Sequence, residues 1–513
     1  MDQFSENLPY KEYYPYLIAI VSPITIVAAY NLFSNPKIPG LYLAMAREIS
    51  NNGYLLPETI PHFTEGGIPF AYPPLGFYFI ALVHDITGME YLSATIFLSF
   101  VWNGVLGLLI YKIAQELFDD KIESIVATVL ATTAPAIFWY MAIPGGAVRG
   151  LGYCFFLATV FFGLCLYSDF DRRWLIGATV SFGLAVLSHP LCGYAAGLWF
   201  LTIYLTKDRS ISGLVHGTIV AVGGVSIASV WWGTVLLHTG IDPFLAGLTS
   251  GSRVSLSLDS VIKFIRFAIK VPTLEQTQYA STVAFYSGSL GGLYLLARRK
   301  MFLPVVFVVS WFTTGAERFV YLAEILMAVS FLYEGVLPML QSKATSQEWG
   351  QIVKRGALVA IILLSVLSGV MYASNQYTRV YDGDTTLMTS GWNADDQQAA
   401  NWIHENTPEQ STFIAIGAAS EKLPFYAERT VLNVPWGAEF DPNQDFQALR
   451  LFSHDLSKSS NFDDIVKKSI QHGFDADYYY IPKIMVNQST VNKMDGYEVV
   501  FRNNGIFLIK SIE

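Results

Sequence analysis

Ten long charge-poor apolar runs, beginning with Pro15–Phe33 and ending with Gly356–Ser374, constrain this chain more than any other feature. Between them lie Tyr91–Tyr111, Ile122–Ala142, Leu151–Tyr167, Trp174–Leu205, Gly213–Leu237, Tyr279–Ala297, Met301–Gly315 and Phe319–Leu340. A helix needs about 20 apolar residues to cross about 30 Å of hydrocarbon, and most of these runs supply them. Trp174–Leu205 is too long for one crossing, and Ser188-His189-Pro190 divides it into two. With 52% hydrophobic and only 14% charged residues, the sequence is too apolar for an ordinary soluble protein. Residues 1–375 are therefore expected to form a polytopic α-helical membrane domain with about eleven transmembrane helices.

Beyond Asn375 no long apolar run remains, and charged residues, Asn and Gln become common. "ADDQQAANWIHEN" reads as a helix capped near Asp395 or Asp396 and stopped by Thr407-Pro408. "NFDDIVKKSIQHG" reads as a second helix ending on Gly473. "ADYYYIP", "YEVVF" and "GIFLIK" read as strands, the last two joined through Asn503-Asn504-Gly505. Residues 376–513 are thus expected to be a small α/β domain.

Basic residues orient the spans, because cytosolic loops are enriched in Lys and Arg. The loops Tyr111–Lys121, Ser168–Arg173, Thr206–Ser210, Ala297–Lys300 and Lys343–Arg355 carry much of that charge and are assigned to the cytosol. Counting spans from them places the C-terminal domain and a first external loop, residues 34–90, on the extracytoplasmic side. In that loop "EGGIPFAYPPLGFYFIALVHDITG" (Glu65–Gly88) resembles a span at first sight. Pro69, Pro73 and Pro74 leave only about 10–14 residues of clean helix, the length of a surface or re-entrant segment. A surface-lying helix over Phe70–Val83 is the preferred reading; a true crossing with an external N-terminus is the alternative. The N-terminus lacks a basic region before its apolar run, so Pro15–Phe33 is read as an uncleaved anchor.

Cys154, Cys165 and Cys192 all lie in or beside spans, which argues against a disulfide framework and against cysteine metal sites. A net charge of −9 with no basic stripe argues against nucleic acid as a partner.

The external face collects the polar residues of interest. The first loop carries Arg47, Glu48, Glu58, His62 and Glu65, later loops Arg149, His189, Arg253, Glu317 and Arg318, and Tyr72 flanks Pro73-Pro74. Taken singly, each is consistent with a solvated loop charge or a side chain reaching the headgroups. Arg149 and His189 sit in very short loops between apolar spans, where an ionisable group usually faces a cavity or a partner. Arginine clamps phosphate bidentately, and a sheltered carboxylate can take a proton from a hydroxyl. Together such groups would suit transfer of a sugar from a polyprenyl-phosphate carrier; the same set could also bind a lipid headgroup without reacting.

The order of a span, a long loop with "GLYLAMAREISNNGYLLP" and "PFAYPPLGFY", and then "LIYKIAQELF" resembles the GT-C superfamily of membrane glycosyltransferases. The likeness is to the branch containing protein O-mannosyltransferases and bacterial aminoarabinose transferases. It implies a GT-C-like membrane domain, a polyprenyl-phosphate sugar donor, and a protein, lipid or glycan acceptor at the plasma membrane. The resemblance also implies an Asp shortly before the Tyr of the first-loop helix. Here that place reads Lys37-Ile38-Pro39-Gly40 before Leu41-Tyr42. Glu58, held between Pro57 and Pro61, is the first substitute, expected to point into a cavity with Arg149, His189 and Tyr72; Glu48 and Glu65 follow. Tyr72, Arg149, His189, Arg253 and Arg318 are the expected substrate-binding residues. No cofactor is required by this reading, although His62 with nearby glutamates is a candidate for a divalent cation. A non-catalytic scaffold of the same fold would explain the missing Asp directly. A transporter would want ionisable groups near the bilayer midplane, where these spans read as nearly free of charge.

Overall fold

Among the described residues five helices are long and apolar enough to cross a membrane: Tyr13–Asn31, Tyr91–Leu117, Gly146–Ser168, Glu317–Ser342 and Gln347–Tyr372. The number rises to seven if two bent pairs each count as one span, Lys121–Thr133 with Pro135–Ala142 and Ile211–Ile227 with Ser229–Thr239. These are properties of a computed structural model, which describes residues 10–33, 40–118, 120–142, 146–250, 257–269, 282–343, 346–381, 392–486 and 495–512. The chain is a multi-pass membrane protein. The expected eleven crossings are not all met by length and composition among the described residues. The shortfall lies in short helices such as Phe302–Thr314 and in pairs bent at Ala134-Pro135 and Ala228. Pro135 cannot donate the hydrogen bond that would continue the first pair.

The residues separate into two compact units. The first comprises 1–34, 95–229 and 253–376. Its main core gathers Leu130, Tyr153, Phe156, Trp199, Phe319 and Ile325 from the helices Lys121–Thr133, Gly146–Ser168, Pro190–Lys207 and Glu317–Ser330. Trp199 is buried with its indole N–H donating to Ser310 Oγ at 3.0 Å. Many apolar side chains on Ile211–Ile227 and Gln347–Tyr381 stay exposed, as hydrocarbon-facing surfaces should.

The second unit comprises 35–94, 230–252 and 377–513. The first loop therefore packs with the C-terminal residues rather than with the remainder of 1–375. Within it a five-stranded sheet has the order β4-β3-β5-β7-β6. The strands are β3 (Thr412–Ala415), β4 (Thr430–Val431), β5 (Tyr478–Pro482), β6 (Tyr497–Arg502) and β7 (Ile506–Ser511), with β1 (Thr59–Ile60) and β2 (Ile68–Pro69) forming a small hairpin in the first loop. β3 runs parallel to β4 and β5, whereas β7 is antiparallel to both β5 and β6. One sheet face sends Ile414, Tyr479, Ile481, Phe507 and Ile509 into a core with Phe452, Leu456, Phe462 and Ile465 of the helices Phe446–Leu456 and Phe462–Gln471. From the opposite face Tyr480 reaches Asp396 in the helix Ala394–Asn406. That helix is capped by Asn393 rather than by Asp395 or Asp396. Asn393 accepts from the N–H groups of Asp395 and Asp396, and the Asp396 carboxylate accepts from the Asn393 N–H.

The first loop is tied into this sheet. Phe63 bridges Val431 in parallel; Val431 N–H donates to His62 O at 3.1 Å and Thr64 N–H to Val431 O at 3.1 Å. The quoted loop stretch forms the helix Leu75–Thr87, 13 residues starting after Pro74 and ending at Gly88 with φ 71°. At 1.5 Å per residue it spans about 20 Å, well short of about 30 Å of hydrocarbon. It begins five residues later than expected, because Pro73 and Pro74 keep 70–74 out of it.

Labelling tests the orientation. A membrane-impermeant thiol reagent applied to intact cells is expected to modify Glu65→Cys and to spare Lys300→Cys, both exposed positions. The native cysteines are buried and should stay silent. The opposite pattern would invert every loop assignment.

Candidate functional site

Three of the residues singled out from the sequence come together in the first unit. Arg149 lies in the first turn of Gly146–Ser168, and Tyr153, one turn on, shares its face. The Tyr153 hydroxyl donates to the carbonyl of Arg318 at 3.0 Å, which brings that face to the start of Glu317–Ser330. A Cβ at Gly152 would lie 2.8 Å from His189 Cβ, so the break between Arg172–Ser188 and Pro190–Lys207 packs against the same helix. Arg149 and Arg318 lie within electrostatic reach of each other, and both reach Cys192.

Arg318 is 4% exposed. Its guanidinium lies 5.0 Å from the ring centroid of Tyr140 and 4.9 Å from that of Phe319. Among the described residues no carboxylate comes within ion-pair distance of it, and its Nε has no hydrogen-bond acceptor. Two guanidiniums held together in a poorly solvated place repel each other, and an anion between them would remove that cost. The planar fork of arginine suits the oxygens of a phosphate.

The nominated carboxylates fare differently. Glu58 was expected to face a cavity, but its side chain is 70% exposed, with an oxygen 3.6 Å from His238 Nδ1. Pro57 and Pro61 stiffen its loop, yet the β1–β2 hairpin turns Glu58 outward, because Phe70 N–H takes the Glu58 carbonyl at 2.9 Å and leaves the side chain on the rim. Glu48 is sheltered but pairs with Arg47 at 3.3 Å, and Arg47 also holds Glu428 at 2.8 Å and Phe425 O at 2.9 Å. Glu65 is exposed. His62 is held below its ordinary value by burial first and then by Arg47, with Arg429 adding to it. A cation would meet the same two arginines. Among the described residues no group of three or more His, Cys, Asp or Glu side chains could hold a metal. Tyr72 is half-buried among the rings of Tyr42, Phe77 and Phe440, with centroids 6.0, 5.8 and 5.9 Å away. Arg253 lies outside the described residues.

Sequence reasoning passed over two kinds of acid. Glu324 is fully buried in Glu317–Ser330, its side chain beside Gly288, and Glu123 is buried in Lys121–Thr133. The spans are thus not charge-free, and both residues were visible as acids inside apolar runs. In the second unit Glu421 and Glu439 are surrounded by protein. Glu421 is pushed up to about 7, by enclosure first, with Glu439 adding and Lys422 opposing. Glu439 is raised by enclosure. Local sequence around "ASEKLPFY" carries no sign of this.

Known proteins fit this architecture. A family model described as Dolichyl-phosphate-mannose-protein mannosyltransferase matches residues 71–232. The structure of the oligosaccharyltransferase AglB from Archaeoglobus fulgidus, in complex with an inhibitory peptide and a dolichol-phosphate, superposes with a TM-score of 0.59 at 13% identity, covering 93% of this chain and 70% of that one. ArnT from Cupriavidus metallidurans bound to undecaprenyl phosphate superposes with a TM-score of 0.56 at 14% identity, covering 98% of each chain. No curated protein matches the sequence. These likenesses show the fold alone: the chain has the GT-C fold of the two membrane proteins it superposes on.

Proposed function

We propose that this protein transfers a sugar from a polyprenyl-phosphate carrier to an acceptor on the extracytoplasmic side of the plasma membrane. The observation that carries the reading is Arg318, a buried guanidinium between two aromatic rings with no carboxylate paired to it among the described residues and Arg149 in reach. An anionic ligand answers that arrangement, and polyprenyl phosphates occupy the structures of two proteins of the same fold. In this reading Arg149 and Arg318 hold the carrier phosphate and stabilise the charge that grows on it as the sugar departs. His189 and Arg253 remain proposed donor contacts, and Tyr72 a proposed sugar contact.

The purified protein should transfer label from one member of a panel of polyprenyl-phosphate sugars to membrane acceptors, releasing the free polyprenyl phosphate. Undecaprenyl phosphate should raise its melting temperature. A protein that neither binds undecaprenyl phosphate nor transfers any sugar of the panel would defeat the proposal. A non-catalytic binder is the second reading, favoured by the exposure of Glu58 and Glu65 and the engagement of Glu48 with Arg47. Binding without transfer would select it.

A further inference from the structure

One short helix of the first unit turns its apolar side outward. Leu258–Ala268 carries Leu258, Ile262 and Ile265, and Ile269 follows directly after it. At 3.6 residues per turn these four side chains share one face. They are 76, 40, 49 and 67% exposed, in that order. Phe264 and Phe267 point the opposite way, into an aromatic cluster. The Phe264 ring lies 5.2 Å from Phe312 and 5.7 Å from Trp311. Phe267 is buried, stacked on Trp311 at 4.7 Å and edge-on to Tyr321 at 5.6 Å. The inner face is engaged and the outer face is open.

Charge occupies the flank between them. Asp259, Lys263 and Arg266 lie there, all exposed. Lys263 pairs with Asp259 at 2.6 Å, which leaves the flank with the positive charge of Arg266. An outward apolar stripe is a poor surface to give to water. A bilayer accepts it, and the rings place the helix against a membrane element: Tyr321 belongs to Glu317–Ser342, a helix long and apolar enough to cross. At 1.5 Å per residue Leu258–Ala268 is roughly 17 Å long, too short for about 30 Å of hydrocarbon. A short helix with an apolar face and a basic flank is suited to lie in the plane of the interface. The stripe then continues the hydrocarbon-facing surface of the spans, and the basic side chains reach the headgroups.

We propose that Leu258–Ala268 is a membrane-interface helix that seats Leu258, Ile262, Ile265 and Ile269 among the acyl chains of the bilayer and leaves Lys263 and Arg266 at the headgroup phosphates. Tyr321 lies one turn beyond Arg318, about 4.5 Å of helix rise. A helix seated in lipid and pinned on Tyr321 therefore sets the headgroup boundary close to the depth of the buried guanidinium. A phosphate carried on a lipid presents its oxygens at that depth. The inference requires neither sugar transfer nor a ligand at Arg318.

Nitroxide labels on Ile262→Cys, Ile265→Cys and Lys263→Cys test it, in the full-length protein reconstituted into phosphatidylcholine–phosphatidylglycerol vesicles. The native cysteines are buried, and the three replaced side chains are exposed, so the aromatic cluster is left intact. Oxygen concentrates in hydrocarbon and a neutral nickel chelate in water. Relaxation by oxygen relative to nickel should be several-fold higher at 262 and 265 than at 263. A nickel-dominated ratio at 262 and 265 overturns the proposal, because the stripe then faces water. Labels shielded from both reagents overturn it as well, since another segment of the chain or a second copy then covers the face. An equally oxygen-rich ratio at 263 does the same, because a helix wholly inside hydrocarbon has no flank at the headgroups.

Discussion

Arg318→Ala is expected to weaken binding of undecaprenyl phosphate by roughly 10²-fold, the loss that follows when one preorganised donor to an anion is removed. The side chain is 4% exposed and lies against Tyr140 and Phe319, so its charge is poorly screened and its position is set before any ligand arrives. Ala also removes packing, and Arg318→Met separates the two effects: it fills much of the space between the rings and carries no charge. Lys should restore only part of the affinity, because an ammonium keeps the charge and loses the bidentate fork. Arg149→Ala should cost less, since Arg149 is only half-buried and solvent screens it more. Wild-type affinity in Arg318→Met would remove the phosphate clamp, whatever the activity of the variant.

Arg149, His189 and Arg318 could be singled out from sequence because each interrupts or borders an apolar run, where an ionisable group is expensive. Their meeting could not be read, since three separate helix packings bring them together. The shortness of the first-loop helix was legible for a related reason: Pro73 and Pro74 hold its start back, leaving 13 residues. The membrane count was less so, because Pro135 and the bend at Ala228 split apolar runs that look continuous. Glu58 was misread because a residue between two prolines is held firmly, but firmness does not say in which direction. The first loop, moreover, belongs with the C-terminal residues, through pairings such as Phe63 with Val431 that no local pattern announces. Glu421 is the extreme case. "ASEKLPFY" reads as an ordinary surface helix, and only the start of the helix Gly40–Asn51, seated on the Glu421 backbone, shows that it is packed in.

That setting carries a stability cost with a definite pH signature. Glu421 titrates at about 7 in the folded chain against an ordinary value of 4.5. Between those values the folded state holds a proton that the unfolded state has already lost. Stability therefore falls as pH rises through this window, and the cost is complete above about 7. Each pH unit between the two values is worth about 1.4 kcal/mol, so the cost is bounded by roughly 3.5 kcal/mol, less whatever solvent screening reaches the half-buried side chain. Gln has no charge to desolvate, so Glu421→Gln should melt several degrees above the wild type at pH 8 and level with it at pH 4. Glu439→Gln should narrow the gap, because it withdraws the negative field that helps to raise Glu421, while Lys422, which opposes that field, is left in place. Paired melting curves at the two pH values are sufficient, and they require no substrate. Equal melting temperatures at pH 8 would mean that Glu421 ionises as it does in water.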